Sequence, residues 1–227
     1  MTIRAVLFDY SGTLFHLDPG TDWVDHASGP DGRPLDRAVL IDLLTSPTTP
    51  ADHLPPELAA DWERRDLDGD VHRRVYLAAL RAAHPGVPET AFEAIYERLP
   101  HPESWRPYPD TLATLRDLRA AGVPVAVVSN IPWDIREVFR RNDMFELVDE
   151  YVLSYAVGVM KPDPTIFLTA CQRIGIRPEH TLMIGDSEQA DGGATRIGCR
   201  FAAVRRVPPA ERPDALITSL RAHRVLT

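Results

Sequence analysis

The chain has 227 residues, with 33 acidic against 25 basic side chains and a net charge of -8. Such a balance argues against a nucleic-acid binder, which carries a basic face or stripe. No apolar stretch approaches the roughly 20 residues that span a bilayer, and two cysteines, Cys171 and Cys199, cannot build a disulfide scaffold. No signal-peptide core precedes the first apolar run, so a cytoplasmic protein without membrane or nucleic-acid partners is expected. Of the 25 basic residues one is a lysine, Lys161.

Ala5-Val6-Leu7-Phe8 is a continuous apolar run that stops at Asp9. Runs of this kind, apolar at successive positions rather than alternating, mark strands buried on both faces of a parallel sheet. From Phe15 to Trp105 the pattern changes to helical segments such as 71–83 and 90–99, with no convincing strand and loops rich in Pro, Gly and Asp. In that region Asp66-Leu67-Asp68-Gly69-Asp70 lacks calcium-loop spacing and is expected to cap the next helix. Hinges are placed near Asp18 to Gly20 and near Pro107. A helix is expected over 110–121, with Asp110 at its N-cap and Gly122 beyond its end. Val125 to Val128 reads as a second buried strand, ending at Ser129 and Asn130. Pro164 to Ile174 reads as a helix with proline in its first turn. Leu182 to Ile184 is a third buried strand, ending at Gly185 and Asp186, and a last helix is expected over 214–226. The expected fold is therefore α/β, a doubly wound parallel, Rossmann-like sheet with an all-helical cap inserted after the first strand. The core is assigned to 1–15 and 106–227, and the cap to 16–105.

In such sheets the site lies at the carboxyl ends of the strands, so Asp9, Asp186 and Asp191 are expected to converge. Carboxylates that close together do not all stay ionised without a cation, and a hard divalent ion with oxygen ligands resolves the conflict. Gly12 lets backbone N–H groups approach an anion. Lys161, in the loop before the 164–174 helix, is placed to neutralise Asp9 and a substrate oxyanion. Ser129 and Asn130 add a hydroxyl and an amide as neutral donors.

The segments FDYSGT, VVSN, KPDP and GDSEQAD resemble, in order, the four motifs of the haloacid dehalogenase superfamily, and the helical insert is similar to the cap of its helical-cap subgroup. The resemblance implies a hydrolase that forms an aspartyl intermediate at Asp9. It implies Mg²⁺ held by Asp9, the Ser11 carbonyl and Asp186, with Asp191 as a further ligand or orienting group. Gly12, Thr13, Ser129, Asn130 and Lys161 would bind substrate, Lys161 also acting as the third-motif base. A small phosphorylated metabolite is the implied partner; no oligomeric state is implied.

One position departs from the phosphatase pattern. Phosphatases of the superfamily carry a second Asp two residues after the nucleophile, as acid and then base, and here that position is Ser11, which has no pKa near neutrality. The fourth motif is also one residue tighter than usual, at Asp191-Gly192-Gly193-Ala194. Branches lacking the second Asp include phosphonoacetaldehyde hydrolases, which need a cap lysine, and 16–105 contains none. Three readings follow: Mg²⁺-dependent phosphatase-type hydrolysis in the lead, dehalogenase-type substitution at carbon, and a degenerate protein that binds a phosphate ligand without turnover.

Overall fold

The computed structural model describes residues 2–18, 27–28, 32–45 and 54–226. Seven strands are present among them: β1 Ala5–Phe8, β2 Phe15–Leu17, β3 Trp105–Pro107, β4 Val125–Ser129, β5 Glu150–Leu153, β6 Thr181–Gly185 and β7 Arg200–Ala203. Five form one parallel sheet in the order β5-β4-β1-β6-β7, so the first strand lies at its centre. The three continuous apolar runs occupy the three inner positions, where every residue is buried. Successive side chains point to opposite faces, and the two faces carry separate cores. Val6, Phe8, Val127 and Ile184 share one with Leu115, Phe139 and Leu216, whereas Leu7, Ala126, Val128 and Met183 share the other with Ile166, Phe167 and Ala170.

Nine α-helices are described: α1 Arg37–Thr45, α2 Ala59–Trp62, α3 Gly69–Ala83, α4 Glu89–Arg98, α5 Thr111–Ala120, α6 Arg136–Arg141, α7 Ser154–Val157, α8 Pro164–Arg173 and α9 Ala215–Ala222. α8 covers one face of the sheet, and α5, α6 and α9 cover the other. The first four lie between β2 and β3, where α1, α3 and α4 build their own apolar cluster from Leu40, Leu43, Leu77, Leu80, Phe92 and Ile95. No helix among the described residues is long and apolar enough to cross a membrane.

Asp68 accepts the N–H groups of Asp70 and Val71, both at 2.9 Å, and so caps α3 as the sequence suggests. Two expectations need correction. The region from Phe15 to Trp105 is not free of strands at its ends: β2 and β3 pair antiparallel, Phe15 with Pro107 and Leu17 with Trp105. This ribbon lies where hinges were expected, and Pro19 and Gly20 of the first hinge fall outside the described residues. Asp110 stands at the N-cap of α5 but its side chain makes no bond there. It accepts instead from the N–H groups of Leu216 and Ile217, at 2.7 and 3.2 Å, and caps α9 from across the fold. These are first-turn N–H groups with no partner inside their own helix, so a carboxylate reaching them satisfies donors that burial would otherwise orphan.

Replacing Asp110 with Ala is therefore expected to lower unfolding stability by about 1–3 kcal/mol, the cost of leaving buried donors unpaired. Urea unfolding measures it; a change within about 0.3 kcal/mol, the size of surface effects, would contradict the assignment.

Candidate active site

The sequence-derived candidates lie at the carboxyl ends of β1, β4 and β6 or in the loops that follow, apart from Lys161, which comes from the loop between α7 and α8. Asp9 follows β1, Ser129 ends β4, and Asp186 follows β6. Asp191 begins the 3-10 turn Asp191–Ile197. One carboxylate oxygen from each of Asp9, Asp186 and Asp191 lies within 4.8 Å of the others. Lys161 reaches into this cluster and donates to Asp9 Oδ1 at 2.7 Å and to Asp191 Oδ1 at 2.6 Å. Asp9, Asp191 and Lys161 are all buried, at 6%, 1% and 5% exposure.

The electrostatics are strongly biased. Burial raises the Asp9 carboxyl most; Lys161 opposes it, Asp191 and Asp186 add to it, and the net result is about 7. Burial also lifts Asp186, partly offset by Arg206 and lifted further by Asp191. Burial alone would pull the Lys161 ammonium down, but Asp9 and Asp191 outweigh it and hold it above the ordinary lysine value. Three carboxylates face one ammonium, with Arg206 offsetting only Asp186, and the surplus of negative charge adds to burial in raising Asp9 and Asp186 and is what a divalent cation would balance. An all-oxygen donor set of this kind suits a hard ion such as Mg²⁺.

The loops are shaped around the cluster. At Gly12, with φ +85°, a Cβ would collide with the Asp186 carboxylate, and at Gly185 with that of Asp191. Gly193 has Pro162 against it, where an added Cβ would stand 2.8 Å from the Pro162 carbonyl oxygen. The tight Asp191-Gly192-Gly193-Ala194 turn thus packs directly on the lysine loop. Asn130 spends its side chain on that loop: Nδ2 donates to the Lys161 carbonyl at 2.9 Å, and Oδ1 accepts the Lys161 N–H at 2.7 Å. It therefore positions Lys161. The Ser129 hydroxyl has no partner among the described residues, although the side chain is 2% exposed. Thr13 is buried with its hydroxyl unpartnered, and Ser11 is half-buried beside Asp9.

Sequence reasoning missed Arg212. Its guanidinium donates to the Gly12 carbonyl at 2.7 Å and to the Thr13 carbonyl, and stacks 3.5 Å from the Tyr108 ring centroid. A residue 200 positions from its partner thereby fixes the loop that follows Asp9. Further from the cluster, Trp62 packs on Val75 and Ala79, with Arg65 over its ring, and His16 stacks edge-on against Tyr108.

The sequence model of haloacid dehalogenase-like hydrolases matches residues 3–196. The chain belongs to the haloacid dehalogenase-like hydrolase family. The glyceraldehyde 3-phosphate phosphatase of Methanopyrus kandleri is 37% identical over 103 residues, 44% of each chain. The (S)-2-haloacid dehalogenase 1 of Pseudomonas sp. is 30% identical over 101 residues, also 44% of each. These matches span less than half the length of either relative. Among solved structures, the L-2-haloacid dehalogenase of Xanthobacter autotrophicus with covalently bound chloropropionic acid superposes with a TM-score of 0.61 at 22% identity, covering 100% of this chain and 85% of the other. That likeness establishes the family's fold for the chain.

The charge imbalance yields a prediction for the metal-free protein. The Asp9 pKa is about 7 when folded against 3.8 as the ordinary value. Between those values the folded chain keeps a proton that the unfolded chain has released, so stability falls as pH rises through the window. In EDTA the thermal midpoint of the wild type should drop more steeply from about pH 4 to 7 than that of Asp9→Asn. Parallel slopes would contradict the electrostatic account.

Proposed function

We propose that this family member is a phosphatase-type hydrolase acting on a small phosphorylated metabolite, with Asp9 as nucleophile. The observation that carries this reading is the Asp9, Asp186, Asp191 cluster, whose crowded carboxylates call for a divalent cation. Asp9, the Ser11 carbonyl and Asp186 would hold Mg²⁺, with Asp191 as a further ligand or orienting group. When bound, Mg²⁺ would neutralise charge on the transferring phosphoryl group.

The chain's own residues supply the rest. Lys161 opposes protonation of Asp9 and orients it, its Nζ 2.7 Å from Oδ1, so that the other oxygen is left to attack. The partner-free Ser129 hydroxyl and the Thr13 N–H would bind the phosphoryl oxygens, the Gly12 N–H being held by the Phe15 carbonyl at 2.7 Å. Asn130 holds the lysine loop in register, and Arg212 holds the loop after Asp9. The helical segment between β2 and β3 would serve as the cap that shapes the substrate site. Catalysis of this type is largely positioning and charge neutralisation. A named relative, the glyceraldehyde 3-phosphate phosphatase, supports the choice of that ester as a first substrate.

A second reading is favoured by one observation, Ser11 at the position of the second Asp: substitution at carbon, as in the dehalogenase relatives, needs no acid there. The two readings part on the metal. Phosphate release from glyceraldehyde 3-phosphate should require Mg²⁺, stop in EDTA, and fall at least about 10³-fold in Asp9→Asn, as for loss of a nucleophile. Halide release from 2-chloropropionate that persists in EDTA, with no phosphate release, would overturn the phosphatase reading in favour of the second.

A further inference from the structure

We propose that Asp66, carried by the helical segment, is the proton donor and acceptor of the phosphoryl transfer, the part that Ser11 cannot play. This rests on the phosphatase reading above. Asp66 sits in the 3-10 turn Arg65–Leu67 between α2 and α3, and it is 6% exposed. It is pinned to the carboxyl edge of the sheet. Ser154, the residue after β5, donates its Oγ to the Asp66 carbonyl at 2.6 Å and accepts the Ile131 N–H at 2.8 Å. Ile131 is two residues beyond Ser129, so the turn rests on the same loop that would bind the phosphoryl group.

The carboxyl itself accepts no hydrogen bond from the described residues. Its nearest polar neighbours are Arg65 Nη2 at 3.6 Å and His72 Nε2 at 3.7 Å. Burial raises it above the ordinary carboxylate range, opposed by Arg65 and then by Lys161, whose charge reaches it from the cluster around Asp9.

His72 favours the protonated form by its tautomer. Tyr96 donates its hydroxyl to the Gly69 carbonyl at 3.3 Å, so its oxygen accepts from His72 Nδ1 at 3.1 Å. The hydrogen-bond network thus assigns the proton to Nδ1 and leaves the lone pair of Nε2 facing Asp66. Burial, then Arg65, lowers the imidazole to about 3, so it stays neutral. Tyr76 stacked on one side and Trp133 edge-on, each 5.3 Å away, hold the ring. The groups facing Asp66 are therefore Arg65 from its own turn, His72 from α3, Tyr96 from α4 and Lys161 from the sheet edge. His72 acts as a positioning residue.

The steps balance. Asp9 Oδ forms a bond to phosphorus as the ester P–O bond breaks, and the departing alkoxide takes the Asp66 proton. Water then attacks phosphorus, its proton passes to the Asp66 carboxylate, and the Asp9–phosphorus bond breaks, giving phosphate and the original enzyme.

The test uses two probes in Mg²⁺: glyceraldehyde 3-phosphate, whose leaving group needs a proton, and p-nitrophenyl phosphate, whose leaving group does not. Asp66→Asn should lower steady-state turnover of the first by about 10²- to 10⁴-fold. With the second it should retain a burst of nitrophenolate followed by slow turnover. Adding Ser11→Asp to Asp66→Asn should restore turnover of glyceraldehyde 3-phosphate, which a loss of folding or cap docking would not permit. His72→Gln should move the alkaline limb of the kcat profile to lower pH, since Asp66 then loses its proton more readily. Turnover indifferent to Asp66→Asn, or loss of burst and steady state together without rescue by Ser11→Asp, would overturn the inference alone. Absence of phosphate release by the wild type from both probes would overturn the phosphatase reading and this inference with it.

Discussion

Three aspartates share the end of one parallel sheet with one ammonium, and the architecture around them is explained by that imbalance. A carboxylate on its own at a strand end is solvated at little cost. Brought within 4.8 Å of two others and buried, it must be neutralised by a proton, a lysine or a metal ion. Lys161 supplies part of the charge, and its short, compact head fits between Asp9 and Asp191 where a planar guanidinium would not. The glycines at 12, 185 and 193 are where the loops press closest, each with a carboxylate or the lysine loop in the space a Cβ would take. Asn130 and Arg212 then hold the surrounding backbone, one gripping the Lys161 peptide and the other the carbonyls that follow Asp9.

This arrangement concentrates charge but leaves proton transfer unassigned. Ser11 offers a backbone carbonyl to a cation and no titratable group to a leaving oxygen. In the proposed mechanism core and helical segment divide the labour: the sheet edge would provide nucleophile, charge and anion binding, while the segment would bring the Asp66 carboxyl, which burial raises above the ordinary carboxylate range. The Ser154 hydroxyl ties the two together, bonding both the Ile131 loop and the Asp66 turn, and Trp133 packs edge-on against His72.

Much of this was legible in the residues, and the exceptions have physical causes. The inner strands β1, β4 and β6 are buried on both faces, so their apolar runs are unbroken and their polar ends stand out as Asp9, Ser129 and Asp186. The outer strands β5 and β7 have one open side; Glu150 and Arg200 interrupt the apolar pattern and hid both. β2 and β3 are three residues each and contain His16 and Pro107, which no strand pattern favours. Asp110 looked like a cap for the helix beside it because only local donors are visible in sequence, whereas its partners lie more than 100 positions away. Arg212 and Asp66 were missed for the same reason: what identifies each is a neighbour 200 and 88 residues distant, at Gly12 and Ser154 respectively.

The claim on which everything rests is that the carboxylate cluster, balanced by a divalent cation, makes Asp9 a nucleophile toward phosphorus. It is tested most directly by acid-quenching the protein after exposure to acetyl phosphate and mapping the phosphoryl group by peptide mass spectrometry. The account predicts label on Asp9 in Mg²⁺, with none in EDTA and none in Asp186→Asn. Label on another residue, label that survives EDTA, or an unlabelled Asp9 in the presence of Mg²⁺ would contradict it.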